Sequence, residues 1–266
     1  MKRIVPGLLI AGLWLMLLLF GSIQLFSLLF FVIAMIGADE YLRMADRRDV
    51  ALGEKGLLII FTALPVGIVG LCGQTAGLGG AVLLSFAGFV VYLLCRYGSP
   101  LESYALFARF VFGLLYVGFL GSHLVLLRSL EEGGTWLIIA SAITACSDTG
   151  AYYTGKRLGK RKLCPAISPN KTVEGAVGGV VSGTIGALVF GVVLLNEPPL
   201  VFLALGGAFL SLVGISGDLT ESIIKRGTQT KDSGRLLAGH GGVLDRMDSL
   251  LFVAPALYYL LILLVP

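Results

Sequence analysis

Residues 222–248 read SIIKRGTQTKDSGRLLAGHGGVLDRMD, the most charge-dense stretch of a chain that is otherwise largely apolar. They hold Lys225, Arg226, Lys231, Arg235 and Arg246, the carboxylates Asp232, Asp245 and Asp248, and His240, one of two histidines. Asp218 and Glu221 lie just upstream, and apolar runs flank both sides. Charge of both signs held between apolar segments is costly, and where it persists it usually marks an ion or substrate site. The stretch therefore points to a membrane-spanning fold and to the place where its function sits.

The whole chain agrees. Its 266 residues are 56% hydrophobic and 14% charged, with a mean hydropathy of +0.92, which excludes an ordinary soluble domain. Apolar runs recur along the full length, so the expected fold is an all-α polytopic integral membrane protein. The first run follows Lys2 and Arg3 in the manner of a signal peptide. It lacks a small-residue cleavage site and flows into a second apolar run, so it is read as retained. Cys72, Cys95, Cys146 and Cys164 are scattered without close pairs and offer neither a zinc site nor a disulfide framework.

About nine spans are expected, over 4–20, 23–37, 57–72, 78–95, 107–127, 135–153, 173–195, 199–216 and 249–265. The first two are expected to form a tight hairpin around Gly21 and Ser22. With the N-terminus in the cytoplasm, the inside segments are 1–3, 38–56, 96–109, 154–172 and 217–248. These hold every one of the 20 Lys and Arg except Arg128, the asymmetry that sets membrane orientation. Residues 1–134 then form an N-terminal block of about five helices. Residues 135–266 form the catalytic region, with cytoplasmic loops 154–172 and 217–248. Span seven carries Gly175, Gly179, Gly183, Ala187 and Gly191 at every fourth position, a stripe that permits close helix packing within the chain or between subunits.

Three constellations carry chemistry. If the end of span eight stays helical, Asp218, Glu221, Ser222, Lys225 and Arg226 share one broad face, either as a self-neutralising cluster or as a holder of metal and phosphate together. Asp245 and Asp248 point to the same side at the start of span nine, after the Gly239-His240-Gly241-Gly242 turn. One or two carboxylates completed by phosphates and water are what a magnesium site uses. The third is Asp148, near the cytoplasmic end of span six, with the loop Ser168-Pro169-Asn170-Lys171-Thr172 that leads into span seven and suits a phosphate. Lys156, Arg157, Lys160, Arg161 and Lys162 read as a positive anchor touching anionic lipid. His123, with no acidic or cysteine neighbours in sequence, reads as a packing histidine.

Taken together these residues resemble the phosphatidate cytidylyltransferase (CDP-diacylglycerol synthase) family. Its signature runs S-x-x-K-R-x4-K-D-x-G-x3-P-G-H-G-G-x-x-D-R-x-D. The chain supplies Ser222, Lys225, Arg226, Lys231, Asp232, Gly234, Gly239, His240, Gly241, Gly242, Asp245, Arg246 and Asp248 at matching spacing, with Ala238 in place of the usual proline. Asp148 through Tyr152 and Ser168 through Gly175 resemble the family's second motif block. The resemblance implies transfer from CTP to phosphatidic acid, giving CDP-diacylglycerol and pyrophosphate, in phospholipid biosynthesis at the cytoplasmic face of the inner membrane. It implies Mg²⁺, with the number of ions open, membrane lipids as surroundings, a homodimer, and no nucleic acid. On this basis Asp218 and Asp245 are expected to hold metal, with Asp148 and Asp248 as further ligands. Asp218, Asp245, Asp248 and Lys225 are the expected catalytic set. Ser168, Asn170, Lys171, Arg226, Lys231, His240 and Arg246 are expected at the substrates, while His240 equally suits holding the glycine turn. The rival readings are the same chemistry on another lipid phosphate, and a transporter whose charged helix ends form an ion path.

Overall fold

A computed structural model describes residues 4–45, 52–73, 75–96, 98–234 and 241–264. The described helices are α1 (Ile4–Phe20), α2 (Ile23–Ala45), α3 (Leu52–Cys72), α4 (Thr75–Cys95), α5 (Pro100–Ser129), α6 (Gly133–Leu158), α7 (Val173–Leu194), α8 (Leu200–Gly227) and α9 (Leu244–Leu264). Each expected span falls on one of them. Seven are long and apolar enough to cross a membrane, and the protein is an α-helical integral membrane protein. The two that fall short do so for different reasons. α1 has only 17 residues, whereas α6 is long but diluted by Ser141, Thr144, Ser147, Asp148 and Thr149.

The chain divides into two compact units, Met1–Ser129 with Thr228–Arg246, and Leu130–Gly227 with Met247–Pro266. In the first unit α1 and α2 are joined through Gly21 and Ser22, as expected. Ser22 Oγ accepts from Leu25 N at 3.2 Å, and Arg128 Nη2 donates to the Gly21 carbonyl at 2.8 Å. The cation that broke the charge pattern thus satisfies an orphan carbonyl at a helix end. Aromatic rings fill the core: Phe89 stacks on Phe110 at 3.8 Å, and Phe26 on Phe30 at 5.6 Å. α5 passes through a π-helical segment, Leu114–Phe119. Just before it, the Arg109 carbonyl accepts from Tyr41 Oη at 2.8 Å. His123 is fully buried, donates Nδ1–H to the Phe119 carbonyl at 2.9 Å and meets the Phe119 ring edge-on. It is a packing histidine.

The second unit is built on small residues. α7 turns its glycine stripe inward, with Gly175, Gly179, Gly183, Ala187 and Gly191 all buried. Gly175 and Gly179 face the α6 carbonyls of Ala151 and Ser147 at 2.9 and 3.0 Å from where a Cβ would stand. Gly183 and Gly191 back onto Ser211 and Leu203 of α8. The stripe therefore packs within the chain, where dispersion between closely approaching backbones replaces the missing hydrophobic drive.

Two features depart from the sequence reading. Residues 217–227 continue α8 instead of opening a loop, since nothing breaks the helix before Gly227 and Glu221–Lys225 supports it as an i,i+4 pair. The Ser-Pro-Asn-Lys-Thr run is a strand rather than a loop. β2 (Ser168–Thr172) pairs antiparallel with β1 (Lys162–Cys164), aligning Lys162 with Thr172 and Cys164 with Ser168. The fold is α-helical with this one hairpin among the described residues.

A Cβ at Gly150 would overlap Ser182 and approach the Gly178 carbonyl at 2.8 Å. At Gly206 the nearest atom would be 4.0 Å away. Gly150→Ala is therefore expected to cost about 1–3 kcal/mol by overpacking. Gly206→Ala should hold or raise stability through helix propensity. Thermal unfolding of the two variants in detergent checks the contrast.

Candidate active site

Within the second unit, α6, the hairpin, α7 and α8 enclose a cavity of about 450 Å³. Its polar lining comes from Asp148, Tyr152 and Lys156 of α6, Asn170, Lys171 and Thr172 of β2, and Asp218 of α8, so Lys156, read as part of the lipid anchor, lies at the cavity instead. The hairpin delivers its residues because both of its ends are anchored. Thr172 caps α7 by accepting from Gly175 N at 3.1 Å. The Glu174 carboxylate takes the amides of Lys160 (3.0 Å) and Arg161 (3.1 Å). Gly155 and Gly159 lie so close to Thr172 that only glycine leaves room for the cap.

Lys171 is the most informative group. Its Nζ is sealed from solvent and stands 2.6 Å from Asp218 Oδ2. Asp218 answers its charge as an ion pair, and among the described residues Nζ has no further hydrogen-bond partner. An ammonium has three donors to satisfy, and a buried charge left short of them is destabilising unless something else fills the demand. Lys171 also lines the cavity.

The charged end of α8 separates into distinct roles. Glu221 is buried and holds Lys225 Nζ at 2.5 Å, so these two form the self-neutralising pair. Arg226 is exposed and donates Nε–H to the Ile167 carbonyl at 3.3 Å, tying the helix end to the hairpin. Asp248 of α9 lies in the electrostatic range of Asp218, Asp148 and Lys225. Its Oδ1 accepts from Ser249 N at 2.6 Å. A Cβ on Gly217 would stand 2.6 Å from the Asp248 carbonyl, so α8 and α9 touch backbone to backbone there. Among the described residues no three Asp, Glu, His or Cys side chains are grouped closely enough to make a metal site by themselves. Mg²⁺ needs only one or two carboxylates when substrate phosphates and water complete the shell. The mutual field of Asp148, Asp218 and Asp248, all hard oxygen donors, fits such an ion.

The structure thus brings Asp148, Asn170, Lys171 and Asp218 to one cavity, sets Lys225 within the field of Asp248, and leaves Ser168 at the start of β2. Lys231, Asp245 and Arg246 belong to the first unit, and His240 lies outside the described residues. Lys231 and Arg246 are exposed. Asp245 Oδ2 is taken up locally, accepting from Ser233 N (2.9 Å) and Gly242 N (2.8 Å) and lying 3.0 Å from Ser233 Oγ. It serves the turn at Gly241, where φ is +82°, a value only glycine adopts freely. One group was missed by sequence reasoning. Glu40 of α2 is buried against this same segment. The available signal is a carboxylate at the end of an apolar run, in segment 38–56.

The chain's relatives carry the same pattern of names. The protein is 39% identical over 267 residues to the phosphatidate cytidylyltransferase of Bacillus subtilis, covering 98% of this chain and 97% of that protein. It is 35% identical over 235 residues to the enzyme of that name from Staphylococcus epidermidis, covering 87% and 88%. With the Staphylococcus haemolyticus protein of the same name it shares 34% over 246 residues, 92% of each. The family model described as the cytidylyltransferase family matches residues 1–264, and the chain belongs to that family, as a membrane-embedded nucleotidyltransferase.

Proposed function

We propose that the protein transfers the cytidylyl group of CTP to phosphatidic acid, forming CDP-diacylglycerol and releasing pyrophosphate for phospholipid synthesis. The observation that carries this reading is the Lys171–Asp218 ion pair at 2.6 Å, two residues that line one cavity with Asp148. A non-bridging oxygen of the lipid phosphate attacks the α-phosphorus of CTP. The new P–O bond forms as the bond from the α-phosphorus to the α,β-bridging oxygen breaks, and pyrophosphate leaves with that electron pair. A phosphate monoester is largely dianionic near neutral pH, so no protein nucleophile and no covalent enzyme intermediate are needed.

Both substrates are polyanions, and the protein's task is positioning and charge stabilisation. Lys171 binds phosphate through its unfilled donors, and Asn170 and the α7 N-terminus lie at the same wall. Lys225 and Arg226 add positive charge from α8. Lys231, Arg246 and His240 are proposed as further phosphate contacts on the strength of the family signature. Asp148, Asp218 and Asp248 would hold Mg²⁺, which supplies neutralisation of the phosphate charge when bound. Asp245, whose Oδ2 accepts from Ser233 N and Gly242 N, is proposed as a further Mg²⁺ ligand on the strength of the family signature. The Lys/Arg distribution orients the site toward the cytoplasm, where CTP resides.

The test is formation of CDP-lipid from labelled phosphatidic acid and CTP by purified protein in mixed micelles, with other lipid phosphates run in parallel. Product from phosphatidic acid, lost with EDTA and restored by Mg²⁺, is the expected result. Product only from another lipid phosphate would overturn the choice of substrate. Lys171→Ala and Asp218→Asn are each expected to lower kcat/KM by about 100-fold or more, with unfolding midpoints near that of the parent protein. Retained activity in either would remove that residue from the site. For orientation, Lys160→Cys and Glu197→Cys in a background lacking the four native cysteines should label from opposite faces of oriented vesicles. Lys160→Cys is expected on the cytoplasmic side.

A further inference from the structure

Glu40 sits in α2, in the first unit, with 5% of its surface exposed. Its Oε1 accepts from Val243 N at 3.0 Å, and its Oε2 accepts from Leu244 N at 3.0 Å. These amides open α9, where a helix leaves its first N–H groups without partners. Ser233 Oγ lies 3.1 Å from Glu40 Oε2 and 3.0 Å from Asp245 Oδ2, so one hydroxyl proton is shared between two carboxylates. The same oxygen accepts from Asp245 N at 3.3 Å. A Cβ at Gly234 or Gly242 would collide with the Glu40 carboxylate, so the backbone is folded directly against it. A carboxylate from a distant helix therefore holds Ser233–Gly234 and Gly242–Leu244 together.

We propose that Glu40 is a positioning residue for the nucleotide, acting through Ser233–Gly234 and Gly242–Asp245; the proposal rests on the cytidylyl-transfer reading above. Glu40 touches no substrate. It fixes the backbone from which Lys231 and Arg246 are presented, and Ser233 links its carboxylate to Asp245. Two N–H donors demand two acceptor oxygens. Glutamine keeps the length of the side chain but turns an NH₂ toward one of those donors, so Glu40→Gln breaks the clamp while leaving the packing volume intact.

The experiment compares the parent protein, Glu40→Gln and Glu54→Gln in detergent. Glu54 is a control carboxylate of the same unit, partnered by Tyr92 and Arg96. Two readouts are taken: deuterium uptake of peptides covering 228–234 and 241–250, and KM for CTP separated from kcat. Glu40→Gln is expected to speed exchange in both peptides and to raise the CTP KM about tenfold, with Glu54→Gln like the parent in both. Unchanged exchange overturns the clamp. Faster exchange with an unchanged KM and a kcat lowered only in proportion to the folded fraction overturns the positioning role and leaves Glu40 structural. If Glu40→Gln does not fold, Ser233→Ala removes only the shared hydroxyl, and the same pair of readouts decides. If the parent makes no CDP-lipid, the transfer reading fails and takes the positioning role with it, while the exchange data still report whether Glu40 holds Ser233–Gly234 and Gly242–Leu244.

Discussion

A charge carried in among apolar helices has to be answered by another group, and that constraint organises this protein. Lys171 and Asp218 show it most directly. The pair joins a strand of the hairpin to the end of α8 across the wall of a cavity, and it leaves the ammonium with donors still unfilled. Full satisfaction within the protein would make the pair a structural bolt. Here the pair lines a cavity, where a substrate phosphate is proposed to meet it. Glu221 and Lys225, one turn further along, answer each other in the same way, with the carboxylate buried and its cation at 2.5 Å.

The pair can form only because the helices beneath it approach so closely. Glycines and small hydroxyl residues along α6, α7 and α8 remove the side chains that would otherwise keep the backbones apart. Carbonyls and hydroxyls then face one another across the interfaces, and the cavity opens where the hairpin lies over the end of this packed group. The same close approach at Gly217 brings the Asp248 backbone against α8 and places the third carboxylate in the field of the other two. Packing thus sets the electrostatics that nucleotide chemistry needs.

In the first unit the constraint is met in the opposite sense. Glu40 is an anion answered by backbone amides and a hydroxyl, and its partners come from almost the other end of the chain. A carboxylate of an N-terminal helix thus meets the backbone beside Asp245 in the motif.

Much was legible in the amino-acid order. The apolar runs located the helices, because spanning a membrane forces every backbone group into internal hydrogen bonds. The spacing of Ser222, Lys225, Arg226, Lys231, Asp232, Asp245, Arg246 and Asp248 pointed to the family, and the isolation of His123 marked it as a packing residue. What escaped was whatever depends on which distant groups meet. The extension of α8 through Gly227 turned an expected loop into a helix, and strand pairing with β1 did the same for the Ser168–Thr172 run. Asp245 and Asp248, three residues apart, looked equivalent on the chain. Only the tertiary structure gave Asp245 to Ser233 and Gly242 and set Asp248 in the field of Asp148 and Asp218. Local order determines which backbone segments are helical and which chemical groups are available; partnership between groups far apart in sequence is decided by packing, and so it was the fold that paired Lys171 with Asp218 and set Glu40 against Val243 and Leu244.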